Sequence, residues 1–111
     1  MFARVSVYEL EEGRASEAMA AFSPAIERLR DFEGFVDGYF LVERDGVQGV
    51  TLTFWESFDT MERSRVTAAR ARSEAAEEAG ANVVSTHEYE VGLYAGPTRS
   101  RSDLLGAGNI K

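Results

Sequence analysis

The feature that most constrains the fold is a pair of β-type segments joined by a very short connection. Phe35–Glu43 and Gln48–Glu56 are rich in aromatic and β-branched residues, and only residues 44–47 separate them. The connection contains Asp45-Gly46, and an Asp-Gly pair between two such runs is typical of a two-residue hairpin turn. The sequence therefore predicts two antiparallel strands that are adjacent in one sheet.

The remaining segments show the periods of strands and helices. Alternation of apolar and polar residues predicts a strand, and apolar residues at intervals of three and four predict a helix. Ser57 is a good N-cap for the second helix, and Pro24 predicts a kink in the first. These elements are a strand over Phe2–Glu9, a helix from Ser16 toward Gly34, a helix over Phe58–Ala79 and a strand over Asn82–Tyr94.

The element order βαββαβ predicts a four-stranded antiparallel sheet with helices on one face, the ferredoxin-like α+β arrangement. A chain of 111 residues has room for one compact domain, which we place at residues 1–96. Residues 97–111 form a C-terminal tail that ends in Leu104, Leu105 and Ile110. We expect the tail to pack on the domain or on a partner subunit.

Both faces of the predicted hairpin carry apolar side chains. A two-residue turn places Leu41 beside Val50 and Tyr39 beside Leu52 on one face. Aromatic side chains such as Phe40 lie on the other face. Two helices cover only one face of the sheet, so the other would expose a large apolar patch. The sequence therefore predicts a homodimer in which two sheets pack face to face.

Charge and composition exclude several classes of function. Nineteen acidic residues against twelve Lys and Arg give a net charge of −7, which disfavours nucleic acid and anionic membranes as partners. Without cysteine and with one histidine, neither a thiolate site nor a multi-histidine metal site is expected. The chain begins without a signal-like segment, and no apolar stretch approaches about 18 residues. We expect a soluble cytoplasmic protein.

Three short segments resemble one known family. They are Gly34-Phe35 with Gly38, Leu52-Thr53-Phe54-Trp55-Glu56-Ser57, and Glu88-Tyr89-Glu90-Val91. Together they resemble the antibiotic biosynthesis monooxygenase (ABM) family of dimeric α+β barrels, over about residues 2 to 94. The resemblance implies a homodimer with a cavity between the sheet and the helices of each subunit. Some members oxidise aromatic polyketides there without metal or flavin.

Other members of the ABM family degrade haem. In those, an Asn in strand one and a Trp and a His in helix two serve the haem. By ungapped comparison, these positions are Ser6, Ser64 and Glu74 in this chain. The haem ligand is therefore missing, and we expect no haem, flavin or metal cofactor.

Two arginines are the least expected feature of the second helix. Arg65 and Arg72 fall within its apolar stripe, where an unpaired charge is costly. One interpretation is a pocket in which both meet an anionic or phenolic ligand. The alternative is that their heads extend past the stripe to solvent or pair with Asp37, Glu9 or Glu88.

Strand one has a polar face at the centre of the predicted sheet. Small hydroxyl groups and a glycine on the neighbouring strands leave volume, which suggests a cavity with polar walls. The alternative is an ordinary core with satisfied hydroxyl groups. The candidate ligand-binding residues are Arg4, Ser6, Gly38, Thr51, Thr53 and Arg65.

The favoured function is a cofactor-independent oxygenase that acts on an electron-rich, polyketide-like aromatic substrate. Trp55 would shape the wall, Arg72 or Arg65 would stabilise the developing anion, and His87 or Tyr8 would manage the proton. The alternative for His87 is a half-buried, hydrogen-bonded strand residue. There are two alternative functions. One is an isomerase or cyclase on the same scaffold, and the other is a non-catalytic ligand-binding or dimerisation module. The module is favoured if side chains fill the cavity.

Overall fold

The computed structural model describes residues 1–96, which form a four-stranded antiparallel sheet with helices on one face. The elements are β1 (Phe2–Glu9), α1 (Ala15–Glu27), β2 (Phe35–Val42), β3 (Gln48–Trp55), α2 (Phe58–Arg63), α3 (Arg65–Ala79) and β4 (Asn82–Glu90). The strand order is β2-β3-β1-β4, which confirms the predicted ferredoxin-like α+β fold. Strands β1 and β3 are therefore central. The predicted packing of the tail, 97–111, lies outside the described residues.

The β2–β3 hairpin has the predicted register. Leu41 lies opposite Val50 and Tyr39 opposite Leu52. Asp45 in the turn has a φ of 59°, a left-handed conformation that Asp and Asn adopt more readily than most residues. Turn chemistry therefore determined which side chains share a face of the sheet.

The predicted helix over 58–79 is two helices, so that prediction is wrong. Ser57 caps α2 through a reciprocal pair of hydrogen bonds with Thr60, whose N–H donates to Ser57 Oγ at 3.1 Å. Ser64 then separates α2 from α3, and its Oγ donates to the carbonyl of Met61 at 2.7 Å. Such a bond from a serine hydroxyl to a nearby carbonyl competes with regular helical pairing.

Helix α1 is shorter than predicted. It continues through Pro24 and ends at Glu27, and residues 28–33 form turns rather than further helix. Gly34, which was predicted to stop the helix, instead leads into β2 with a φ of 86°. Leu29 in these turns is still buried, in the cluster that includes Trp55 and Met61.

Two apolar clusters form the core on the helix side of the sheet. One contains Tyr8, Phe22 and the alanines along which α1 and α3 pack. The other surrounds Trp55, which has no exposed surface and contacts Leu29 and Met61. No helix within residues 1–96 is long and apolar enough to cross a bilayer.

Candidate functional site

A small cavity, lined by both apolar and polar side chains, lies between the two core clusters. Its volume is about 30 Å³, room for about one water molecule. Apolar side chains from the α1 side and α3 form its roof. Its polar lining groups come from β1, β3 and α3, and they are Arg4, Ser6, Tyr8, Thr51, Thr53 and Arg72. The predicted polar face of strand one thus faces the helices and borders a cavity.

Hydrogen bonds satisfy the hydroxyl groups around the cavity. Tyr8 Oη lies 2.9 Å from Thr51 Oγ1. Ser6 Oγ lies 2.9 Å from Thr86 Oγ1 on β4. Buried polar groups are normally paired in this way. Both interpretations of this polar face therefore apply: the hydroxyl groups are hydrogen-bonded, and a cavity is present. The cavity is too small to hold a ligand.

Arg4 is buried and fully engaged. Its exposed fraction is 4%, and Nε donates to Glu88 Oε2 at 3.1 Å. Nη1 donates to Ser64 Oγ at 3.1 Å, and Nη2 donates to the carbonyl of Met61 at 2.9 Å. Burial lowers the pKa of Arg4, whereas Glu88 opposes this. Arg4 therefore ties β1 to β4 and to the junction of α2 and α3.

The two candidate arginines of the second helical segment have different environments. Arg72 on α3 is half-buried and lines the cavity. Arg65 has a side chain that is 53% exposed and pairs with Glu62 at 2.9 Å and Glu88 at 2.7 Å. The prediction that Arg65 lines the same cavity is wrong. Arg65 and Arg72 both lie on α3, but Arg65 is the first residue of that helix, and its ion pairs with Glu62 and Glu88 hold it outside the cavity. The observed ion pair with Glu88 is the alternative to a ligand pocket that the sequence left open for Arg65.

Arg72 differs from Arg4 and Arg65 in its partners. Within residues 1–96, no hydrogen bond and no ion pair involves its guanidinium group. Its positive charge nevertheless acts on Tyr8 and Arg4. The cavity is therefore bordered by a cation that has no counter-ion in the described part of the chain.

Trp55 does not border the cavity, so its predicted place in the site wall is wrong. Its ring meets Phe35 edge to face with centroids 5.4 Å apart, and Phe32 packs similarly. Its Nε1–H donates to Thr53 Oγ1 at 3.0 Å. Trp55 therefore contacts the site only indirectly, through its hydrogen bond to Thr53, which lines the cavity.

His87 and Gly38 also lie apart from the cavity. His87 is exposed and pairs with Val5 across the β1–β4 ladder, so its side chain lies on the sheet face away from the helices. Gly38 borders a separate cleft between α1 and β2. A Cβ on Gly38 would come within 2.8 Å of Ile26 Cγ2, so the glycine permits close packing there. His87 borders a groove that Arg72 also lines, but it does not line the cavity.

Sequence reasoning did not find Thr86 and Ser64, which form hydrogen bonds with the lining residues Ser6 and Arg4. Thr86 lies opposite Ser6, as Glu88 lies opposite Arg4, in the β1–β4 ladder. Strand alternation carries the signal for Thr86, because it puts residues 86 and 88 on the face opposite His87. No spacing signal marks Ser64.

Burial raises the pKa of Tyr8, although hydrogen bonds to Thr51 and Ser6 and the charge of Arg72 oppose the shift. Above the ordinary tyrosine pKa of about 10, the unfolded chain loses this proton while the folded chain keeps it. Stability should therefore fall as the pH rises above about 10, with a contribution of up to about 1.4 kcal/mol per pH unit. Urea unfolding between pH 8 and 11 should show a shallower fall for Tyr8→Phe; parallel curves would contradict this.

The sequence matches no family model and no curated protein. Solved structures with similar folds are found. A Deinococcus radiodurans protein assigned as an antibiotic biosynthesis monooxygenase has a TM-score of 0.69 at 11% identity, with 87% of this chain and 98% of that chain covered. This chain has the same fold. The resemblance predicted from the sequence is therefore confirmed at the level of fold.

Two further structures with the ABM-type fold come from proteins with different activities. The haem degrader MhuD of Mycobacterium tuberculosis has a TM-score of 0.66 at 22% identity, covering 86% of this chain and all (100%) of that chain. SnoaB, a cofactor-independent oxygenase of Streptomyces nogalater, has a TM-score of 0.64 at 17% identity, covering 84% and 94%. The shared fold is compatible with both activities and does not choose between them.

The residues of this chain do not fit haem. The single histidine, His87, lies on the sheet face away from the cavity. Ser6 and Ser64 are buried and hydrogen-bonded within the fold. Glu74 is exposed and pairs with Arg28 at 2.8 Å. Among residues 1–96, no group of three or more metal-ligating side chains is close enough to hold a metal ion.

Proposed function

We propose that this chain is an ABM-type enzyme, a cofactor-independent oxygenase of electron-rich aromatic substrates such as polyketide phenols. One observation carries the proposal: the centre of the sheet, where a core is normally apolar, presents hydroxyl groups to a cavity beside Arg72, a cation with no ion-pair partner among residues 1–96. Such a cluster of polar groups in a mostly apolar setting is typical of small-molecule sites. The shared fold with SnoaB supports the same chemistry. A cytoplasmic location stays a prediction.

The proposed reaction needs only groups that the substrate and this chain supply. Arg72 stabilises the phenolate form of the substrate, whose proton passes to solvent. Tyr8 stays a neutral phenol because burial raises its pKa, so it donates a hydrogen bond and does not act as a base. A phenol and dioxygen then give a quinone and water. Because the ring supplies the electrons, the reaction needs no external reductant.

The size of the cavity bears directly on this proposal. At about 30 Å³, the space does not admit an aromatic ring, so the side chains around it must move when substrate binds. Arg72 is the lining group best suited to move, because no described anion holds it. The same small volume favours a second candidate, a non-catalytic ligand-binding or dimerisation module.

Oxygen consumption distinguishes the two candidates. Purified protein without added cofactor is mixed with 1,5- or 1,8-dihydroxynaphthalene, each of which has a free carbon para to a hydroxyl group, and uptake is followed with an oxygen electrode. We expect uptake above the rate of autoxidation with heat-denatured protein. Mass spectrometry with ¹⁸O₂ should find one labelled oxygen in the quinone. Arg72→Gln should lower the rate about tenfold or more, as expected for loss of a charge-assisted contact to an oxyanion.

Arg70 provides the matched control, because it lies exposed on the same helix and does not line the cavity. Arg70→Gln removes the same charge and should leave the rate unchanged. Uptake equal to that of denatured protein with every phenol tested would favour the non-catalytic module. Product that forms without oxygen would indicate an isomerase or cyclase.

We also propose that two copies pack through the sheet face that the helices leave open. Tyr39 and Leu41 on this face are 49% and 50% exposed, and Tyr89 is 53% exposed. Four strands of eight or nine residues span a flat area of about 500 Å². Because side chains project from the sheet, the accessible area of this face is larger than the flat area and approaches the roughly 800 Å² per partner of a standard interface. A two-fold dimer buries the same face on both copies.

Light scattering tests the proposed dimer. At micromolar concentration, the protein should elute with twice the chain mass of 12.2 kDa, and Leu41→Lys should give the monomer. Val66 is 70% exposed on α3, on the helix side, so Val66→Lys should leave the dimer intact. A single 12.2 kDa species for the unmodified protein would rule out this interface.

A further inference from the structure

A charged groove lies outside the cavity, between α3 and the edge strand β4. Its volume is about 460 Å³, enough for a small molecule. Arg4 and Arg72 border both the groove and the cavity. Arg65 and Glu88 line the groove but not the cavity. The two spaces are therefore neighbours, with Arg4 and Arg72 at the boundary.

The boundary groups differ in how firmly they are held. Arg4 is buried and makes three separate contacts, to Glu88, Ser64 and the Met61 carbonyl. Arg72 is half-buried and makes no hydrogen bond or ion pair with residues 1–96. A flexible arginine side chain without a fixed partner can change rotamer at little cost. Movement of Arg72 would join the cavity to the groove.

The groove has more cations than anions. Arg4 and Arg65 share Glu88, and Arg65 also pairs with Glu62. Burial lowers the pKa of Arg4, and the charges of Arg72 and Arg65 lower it further. The guanidinium groups are therefore near enough to repel one another. An anion beside Arg72 would relieve that repulsion.

The charge of the whole chain limits the kind of anion. With a net charge of −7, the long-range field disfavours polyanions such as nucleic acid and anionic membranes. A local excess of positive charge in a small groove suits a small anion instead. A carboxylate matches the planar guanidinium group, which carries five N–H donors in a fixed fork.

We infer that the ligand of this site is an aromatic acid with a carboxylate beside its phenol, and that Arg72 binds the carboxylate from the groove. This inference rests on the proposed function, because the phenol is the group that the oxygenase would oxidise. With five donors, one guanidinium group can contact both the carboxylate and the adjacent phenolate. As Arg72 turns toward the groove, it leaves the cavity wall, and the ring gains access to the hydroxyl groups of Tyr8 and Ser6.

A matched pair of probes tests the inference. Binding of 1-hydroxy-2-naphthoate and of its neutral amide, 1-hydroxy-2-naphthamide, is measured by calorimetry at neutral pH and low salt. We expect the carboxylate to bind about tenfold more tightly, the effect of one charge-assisted hydrogen bond. Arg72→Gln should abolish this preference by weakening only the carboxylate. Arg72→Lys keeps the charge without the fork and should retain part of it.

Arg70→Gln is again the control for net charge, because Arg70 is exposed on the same helix and lies outside the groove. It should keep the full preference for the carboxylate. Equal binding of the two probes, or equal loss of preference in Arg70→Gln and Arg72→Gln, would overturn the inference. Melting temperatures of all three variants show whether each is folded.

Oxygen uptake separates this inference from the proposed function. If uncharged dihydroxynaphthalenes are oxidised and the carboxylate gives no advantage in binding, the inference fails and the oxygenase stands. If Arg72 confers a preference for the carboxylate but no phenol is oxidised, the oxygenase fails, and the groove is a binding site for aromatic acids. The binding and oxygen-uptake results together therefore show which of the two proposals fails.

Discussion

Replacing Arg4 with methionine should lower the free energy of unfolding by about 3 kcal/mol. Arg4 is only 4% exposed, and its guanidinium group contacts Glu88, Ser64 and the carbonyl of Met61. Methionine fills part of the space but donates no hydrogen bond. The loss should appear as a lower urea midpoint, with fraying of the α2–α3 junction.

Arg65 provides the control because it pairs with the same carboxylate from the surface. Its contact with Glu88 is 2.7 Å, but its side chain is 53% exposed. Exposed ion pairs contribute about 1 kcal/mol or less, so Arg65→Met should have a small effect. Equal destabilisation by the two substitutions would show that the buried contacts of Arg4 contribute nothing beyond the shared ion pair.

Replacing Gly34 with alanine should also cost about 3 kcal/mol, for a different reason. Gly34 has a φ of 86°, a conformation that costs an L-residue about 1 to 2 kcal/mol. A Cβ at this position would overlap the side chain of Thr60, and such overpacking adds about 1 to 3 kcal/mol. Because Thr60 and Ser57 cap α2, the substitution should disturb the start of that helix.

Gly13 separates the two contributions. It has a similar φ of 78°, but a Cβ there would meet no atom within 4 Å. Gly13→Ala should therefore cost only the backbone part, about 1 to 2 kcal/mol. Urea unfolding of both variants measures the difference. If the two substitutions have the same effect, Thr60 moves aside freely and the close approach does not constrain the fold.

The sequence by itself determined the order of the four strands along the chain and the hairpin that joins β2 to β3. Asp45-Gly46 and the alternation of residues 35–43 and 48–56 predicted a register in which Tyr39 lies opposite Leu52, as the structure shows. The polar face of Arg4, Ser6 and Tyr8 could also be predicted, because alternation along one strand is a local property. Local turn chemistry and periodicity contain this information without any long-range contact.

Only the tertiary structure decided which candidate residues meet at one site. Alternation grouped His87 with Ser85 and Tyr89, but pairing with Val5 across β1–β4 put that group on the face away from the cavity. Arg65 and Arg72 lie on one helix, but an ion pair with Glu88 on β4 holds Arg65 outside the cavity that Arg72 lines. These outcomes depend on pairs of residues far apart in the chain, and local periodicity does not specify which face a strand turns toward its neighbour.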